Sequence, residues 1–371
     1  MHLFDPIALR GLALPNRIVV SPMCQYSADD GCANDWHLIH WGQMLLSGAG
    51  MFTIEATAVS SEGRITHGCL GLFDDATEKA LASALARARR QAPPMAVALQ
   101  LAHAGRKGSS ARPWNGGKLV PLAQGGWTPV APSAIAHAAG EPPPTALDAA
   151  GLEGVRAAFA AATRRAGTIG VDAIELHMAH GYLMHEFLSP IANRRDDDYG
   201  GSFDNRVRFP LEIFDLVRAA WPADRPLGVK ISSSDWVDGG WAPDDSIELA
   251  RRLKARGCDW LDVSGGGVSS AQRIPTATQG VNVPVASEIR RATGIVTMAV
   301  GLINEPEYAD AIVAAGDVDM VALARAFLRE PRWPWRAAAA LGGTVAGAPQ
   351  YGRALTKEMA GIFGNVSGGQ R

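Results

Sequence analysis

The stretch LGVKISSSDWVDGGWAPDDSIELARRLKARGCDWLDVS, Leu227 to Ser264, holds the change of period on which the fold turns. Its ends, Leu227–Ser232 and Trp260–Ser264, are short apolar runs bounded by turn residues, the mark of strands. Between them, Asp244–Arg256 carries apolar residues at helical spacing. Pro243 and Asp244 stand where a helix start favours them, and Gly257 where a helix end does. The whole reads as one βαβ unit, whose two strands run parallel.

The same alternation recurs on both sides. Strand-like runs lie at Ile18–Ser21, Met51–Ala56, Met95–Leu101, Ala173–His177, Val296–Val300 and Met320–Ala324. Helical patterns lie at Ala76–Arg90, Leu152–Ala166, Arg208–Ala219, Val285–Ala292, Glu305–Ala315 and Trp335–Leu341. Most of the runs are apolar on both faces, as in parallel strands covered by helices. Eight alternations predict an α/β fold, a single (β/α)8 TIM barrel domain over residues 1–371. An open doubly wound sheet is the competing arrangement. Residues 103–148 are rich in Pro, Gly, Ala and Ser and too long for an ordinary loop after strand 3. They are expected to form an excursion over the C-terminal mouth. The tail, 342–371, carries Gln350-Tyr351-Gly352-Arg353.

The 371-residue length suits such a barrel. With 47% apolar and 19% charged residues the chain is built to fold. Thirty-five basic and 37 acidic side chains give a net charge of −2, so nucleic acid is not an expected partner. No apolar run approaches the ~18 residues of a membrane helix, and Met1–Pro6 lacks a basic n-region followed by a long apolar stretch, so a secretory signal is not expected. Cys24, Cys32, Cys69 and Cys258 form no CxxC, so neither a disulfide framework nor a zinc ribbon is expected. A cytoplasmic enzyme is the reading that remains.

Barrel active sites lie at the C-terminal strand ends. Reactive side chains gather there, and the strand interiors are expected to hold few. The ends of strands 7 and 8 offer Gly301, where backbone can approach an anion, and Arg325, a bidentate cation for phosphate, with helix-start amides beside it. The alternative is a turn glycine and a surface cation. His177 and His180 can donate to one carbonyl or nitro oxygen and polarise it. They can equally be structural, or chelate a metal, though no third ligand stands nearby. Tyr182 is a proton donor or a packing aromatic. Cys24 is a nucleophile paired with a histidine, or a contact to a cofactor ring. Lys230, inside strand 5, is a Schiff-base lysine or a fixed cation beside an electron-rich cofactor edge.

A family resemblance separates these alternatives. The chain resembles the Old Yellow Enzyme family of FMN-dependent ene-reductases, most of all its bacterial branch of thermophilic-like members and xenobiotic reductases. The similarity runs from Leu3-Phe4-Asp5-Pro6 through Ser21-Pro22-Met23-Cys24-Gln25-Tyr26 and Gln100-Leu101-Ala102-His103-Ala104-Gly105-Arg106-Lys107. It continues through His177-Met178-Ala179-His180-Gly181-Tyr182 and His185-Glu186-Phe187-Leu188-Ser189-Pro190 to Val300-Gly301 and Ala324-Arg325. Each piece is weak alone; the ordered set is specific.

The resemblance implies that Ser21, Pro22, Met23 and Cys24 line the flavin ring, Cys24 modulating its potential. Ala56 and Gln100 contact the ring and its pyrimidine edge. Lys230 stands beside the N1/O2 edge, and Gly301, Ala324 and Arg325 hold the phosphate. His177 and His180 bind the substrate oxygen, Tyr182 donates the proton, and Tyr26 closes over the substrate. NADPH or NADH is the implied reductant and an activated alkene the substrate. Lys230 replaces the family's usual Arg, and Ala324 a common Gly. Gly352 stands where some relatives have Trp, which implies a wider pocket and a broader substrate range. Arg353 is implied to reach a neighbouring subunit's site in a homodimer.

Overall fold

The computed structural model describes residues 2–275 and 278–364. Eight parallel strands close a barrel, β1 (Ile18–Val20), β2 (Met51–Ala58), β3 (Ala96–Ala102), β4 (Ala173–Met178), β5 (Leu227–Ser232), β6 (Trp260–Ser264), β7 (Val296–Val300) and β8 (Met320–Leu323). Each pairs with the next in chain order, and β8 returns to β1 through Val321 opposite Ile18. The open doubly wound alternative is thereby excluded. The observed ends differ from the expected ones by one or two residues. Ser21 and Ala324 fall just outside their strands, while β2 runs two residues beyond Ala56 around a register shift between Ile54 and Thr57.

The ring of helices includes α1 (Asp35–Leu45), α2 (Asp75–Arg89), α3 (Ala149–Ile169), a short α4 (Leu183–Leu188), α5 (Phe203–Ala220) and α6 (Pro243–Ala255). It continues with α7 (Val283–Thr293), α8 (Pro306–Ala314), a short α9 (Arg325–Arg329) and α10 (Trp333–Leu341). Helix α1 was not expected. Its core face mixes His37 and His40 with Trp41, Met44 and Leu45, which blurs the apolar period. Its start is capped reciprocally: Asn34 accepts from the Trp36 N–H, and the His37 ring accepts from the Asn34 N–H. An antiparallel hairpin, Ile7–Leu9 with Leu12–Leu14, plugs the N-terminal end of the barrel, Leu9 and Leu14 packing on Met51, Ala98 and Trp260.

The strands bury both faces, but the two faces differ in chemistry. Outward residues such as Leu99, Leu176, Val229 and Val263 join the apolar layer under the helices. Inward residues change along each strand. Ala98, Ala173 and Trp260 make an apolar floor with Met298 and Met320. Gly228 belongs to that floor because a Cβ there would sit 2.0 Å from the Trp260 ring. Two residues further along come Gln100, Glu175, Lys230 and Asp262, then His177, Ser232 and Ser264. The expectation of few polar residues inside the strands is therefore corrected: the period of 2 carries a buried charged layer directly beneath the mouth.

Between β3 and α3, residues 103–148 form three short 3-10 turns and a two-residue parallel ladder, Val130–Ala131 with Thr145–Ala146. Arg106 ties this segment across the barrel end, its guanidinium donating to the Val268 carbonyl at 2.6 Å.

Candidate active site

Beyond β4 the chain turns sharply. His180 sits in the left-handed region with φ +58°, and Gly181 follows at φ +71°. A Cβ on Gly181 would lie 2.3 Å from the Gly267 carbonyl oxygen, so only glycine lets the two turns approach. The turn brings three rings together. His177 lies 5.1 Å from His180 and 4.8 Å from Tyr182, centroid to centroid, edge to face in both pairs.

Hydrogen bonds fix how the imidazoles present themselves. His177 Nδ1 accepts from the Ala179 N–H at 3.2 Å, so its ring proton is on Nε2, which is not among the buried, unpartnered atoms. His180 Nε2 meets Ser264 Oγ at 2.7 Å, and its backbone N–H donates to Ser232 Oγ at 2.9 Å. With the Ser264 hydroxyl donating, the His180 proton is on Nδ1. Burial, each other's proximity and the Lys230 and Lys107 charges push the His177 pKa well below its usual value; burial, Lys230 and Lys107 do the same for His180. Both rings are therefore neutral donors. Burial, with Cys24, Tyr26 and Cys69 nearby, pushes the Tyr182 phenol well above 10, so it keeps its proton. Lys107 lies 5.4 Å above the Tyr182 ring and donates to the His180 carbonyl at 2.8 Å, bracing the strained turn.

The opposite wall is the segment after β1. Ser21 is buried, and its hydroxyl lies 3.3 Å from Lys230 Nζ. Glu55 on β2 accepts the Gln25 N–H at 2.7 Å, and Gln25 Nε2 donates to the Met23 carbonyl at 2.8 Å. These bonds hold Pro22, Met23 and Cys24 in a fixed loop that ends at Tyr26, φ +53°. The Tyr26 ring stands edge-on to Trp114 of the 103–148 segment, 6.0 Å away. Burial, with Cys69 and Glu55 adding, pushes the Cys24 thiol well above its usual value. That is a neutral thiol, unlike a nucleophilic cysteine.

Lys230 donates to Asp262 Oδ2 at 2.5 Å. A Schiff-base lysine must present a free amine, whereas this one is tied into an ion pair. Among the described residues no group of three or more His, Cys, Asp or Glu side chains is placed to hold a metal. Gln100 donates to Glu175 at 2.8 Å, and Ala56 is buried on β2.

At the far side, Val300–Asn304 and Ala322–Ala326 line a cavity of about 70 Å³. Gly301 has φ +141°, and Asn282 donates to the Val300 carbonyl at 2.7 Å, shaping the cradle. Arg325 is exposed at its rim and has no protein partner among the described residues. A glycine-shaped cradle with an uncommitted guanidinium fits the phosphate of a mononucleotide, and the Lys230 ammonium between the two histidines' strand and Ser21 fits the electron-rich edge of a flavin.

Arg353 stands apart from this constellation, exposed in the 3-10 turn Pro349–Ala354. That turn packs through Tyr351 on Trp335, centroids 5.8 Å apart. Residues 365–371 of the tail lie outside the described residues. Ser232 and Ser264, which set His180, were given no role by the sequence reading, and Glu175 and Asp262 beneath them were missed. The signal was present as Glu-x-His, Lys-x-Ser and Asp-x-Ser on successive strands.

Comparison with known proteins agrees with the geometry. Residues 2–342 match the NADH:flavin oxidoreductase / NADH oxidase family. An NADPH dehydrogenase of Geobacillus sp. (strain WCH70) is 42% identical over 354 residues, 95% of this chain and 98% of that protein. An NADH:flavin oxidoreductase of Gibberella zeae is 40% identical over 345 residues, 88% of this chain and 83% of its own. Among solved structures, morphinone reductase in complex with tetrahydroNAD superposes with a TM-score of 0.76 at 26% identity, covering 94% of this chain and 93% of that one.

Proposed function

The chain belongs to the NADH:flavin oxidoreductase / NADH oxidase family, the Old Yellow Enzymes, and from that premise we propose that it is an ene-reductase, saturating alkenes conjugated to a carbonyl or nitro group. It is an oxidoreductase with FMN as cofactor and NAD(P)H as reductant. The observation that carries the narrower reading is the convergence of two neutral imidazole donors with one protonated phenol around His177.

When bound, FMN supplies hydride transfer from NAD(P)H to the β-carbon of the alkene. Ser21, Pro22, Met23, Cys24, Ala56, Gln100 and Lys230 would hold the ring, and Gly301, Ala324 and Arg325 the phosphate. His177 Nε2–H and His180 Nδ1–H grip the substrate oxygen and draw onto it the negative charge that develops in the transition state. Tyr182 Oη delivers its proton to the α-carbon. Tyr26, backed by Trp114, covers the substrate. Lys230 keeps a point charge at the ring edge, and as an ammonium it lacks the planar fork of Arg. Turnover of 2-cyclohexenone with NADPH is expected to give cyclohexanone; NADPH consumption without saturated ketone from any enone or nitroalkene would contradict the assignment.

The protein works, in this reading, as a cytoplasmic homodimer whose Arg353 enters the partner's site. No helix among the described residues is long and apolar enough to cross a membrane. Gly352 then leaves room at that entrance. Gly352→Trp is expected to lower kcat/KM for bulky enones several-fold more than for 2-cyclohexenone. Equal kcat/KM ratios before and after the change would remove Gly352 from the account of substrate range.

A further inference from the structure

Beneath the mouth, four neighbouring strands contribute a polar layer: Gln100 on β3 stands opposite Glu175 on β4, and Lys230 on β5 stands opposite Asp262 on β6 and, on its other side, opposite His177 on β4. Glu175, Lys230 and Asp262 are 1%, 3% and 0% exposed. Two carboxylates thus share one ammonium. Lys230 is committed to Asp262 at 2.5 Å, with Ser21 Oγ at 3.3 Å. Among the described residues no ion pair reaches Glu175. Its oxygens accept from two neutral donors, the Gln100 amide at 2.8 Å and the Trp260 indole at 3.2 Å. Among the described residues Asp262 Oδ1 is buried with no partner. With both acids ionised the layer holds one negative charge more than it pairs, in a medium where such charge is costly.

The titratable groups facing Glu175 are His177 on its own strand, Lys230 on β5, and Asp262 with Cys258 on and before β6; β3 offers the neutral Gln100. His177 is uncharged, for the reasons given above. Burial pushes Glu175 up to about 7, Asp262 adding to the rise and Lys230 opposing it.

A hydride entering this site shifts the balance. Its transfer breaks the C4–H bond of the reduced nicotinamide, which leaves oxidised, and the two electrons and one hydrogen nucleus that cross add one negative charge to the ring. We propose that Glu175 takes up one solvent proton in step with that hydride, so that the layer beneath the flavin loses a negative charge as the ring gains one. The new Glu175 O–H needs an acceptor. Gln100 provides it by turning its amide end for end: Oε1 then accepts from Glu175, and the NH2 group faces the pocket, where it donates to the newly charged ring edge. Glu175 acts through Gln100 and through its charge, as a positioning residue. This inference rests on the flavin half of the proposed function and not on the alkene half.

The test is anaerobic dithionite titration of the FMN-loaded protein at a series of pH values, wild type beside Glu175→Gln, with no alkene present. Below about pH 7 the carboxyl is protonated in both redox states, and the two midpoint curves run parallel. Above it, wild type takes up one extra proton per two electrons. Its curve falls by a further tenfold in equilibrium constant per pH unit, about 30 mV for a two-electron couple. Parallel curves throughout overturn the proposal. Where the variant fails to hold FMN, wild type alone decides. Its reduced-minus-oxidised infrared difference spectrum above pH 7 gains a protonated-carboxyl band that moves on 13C-glutamate labelling, and absence of that band overturns the proposal.

Discussion

Tyr182→Phe separates the two half-reactions. Alkene reduction by the reduced enzyme is expected to slow by ~10²- to 10⁴-fold, the usual contribution of a positioned general acid. Flavin reduction by NADPH, which needs no proton from Tyr182, stays within a few-fold of wild type. The reason lies in placement. Tyr182 caps the start of α4, its ring held edge-on by His177 and braced by Lys107. Phe keeps that packing and removes only the O–H. Burial holds the phenol well above 10, so in wild type the alkene step shows no alkaline limb from Tyr182 across neutral pH. Stopped-flow absorbance resolves the two steps. Equal slowing of both would mean that Tyr182 shapes the site rather than feeding it a proton.

His177→Ala and His180→Ala are each expected to cost ~10²- to 10³-fold in the alkene step, the range for losing one donor to a developing oxyanion. Ser264→Ala is the milder form of the same lesion. It removes a bond typically worth about 1 kcal/mol, roughly fivefold, and frees His180 to take the other tautomer. Because both imidazoles are held below their usual pKa, wild-type kcat/KM for the enone is expected to be flat from about pH 8 down to about pH 6. An acid limb with a midpoint near the ordinary imidazole value, abolished in His180→Ala, would show that a charged imidazolium does the polarising.

The barrel was readable because parallel strands are buried on both faces and end in turn chemistry, so Leu227–Ser232, Trp260–Ser264 and Val296–Val300 match the observed strands end to end. Helix α1 was not, because two imidazoles occupy its core face. The residues at the strand ends stood out by type as candidates, but each of His177, His180 and Tyr182 also had a structural reading, Lys230 had two functional ones, and the family resemblance chose between them. Their partners were given no role. Asp262 and Ser264 gain meaning only when β6 is laid beside β5, which sets Asp262 opposite Lys230 and Ser264 opposite Ser232. Nor does the sequence tell that His180 Nε2 meets the Ser264 hydroxyl, the contact on which its tautomer turns. Arg353 was singled out from its place in a family pattern, and in the single chain it is exposed.

In the proposed function one site passes a hydride from NAD(P)H to an activated alkene. The visible spectrum of the FMN-loaded protein, followed without oxygen through addition of NADPH and then 2-cyclohexenone, tests it most directly. The expected result is a yellow protein that bleaches with NADPH and recovers its colour on adding the enone, with one saturated ketone formed per flavin. A protein that bleaches and then stays colourless in the presence of enones and nitroalkenes would contradict it.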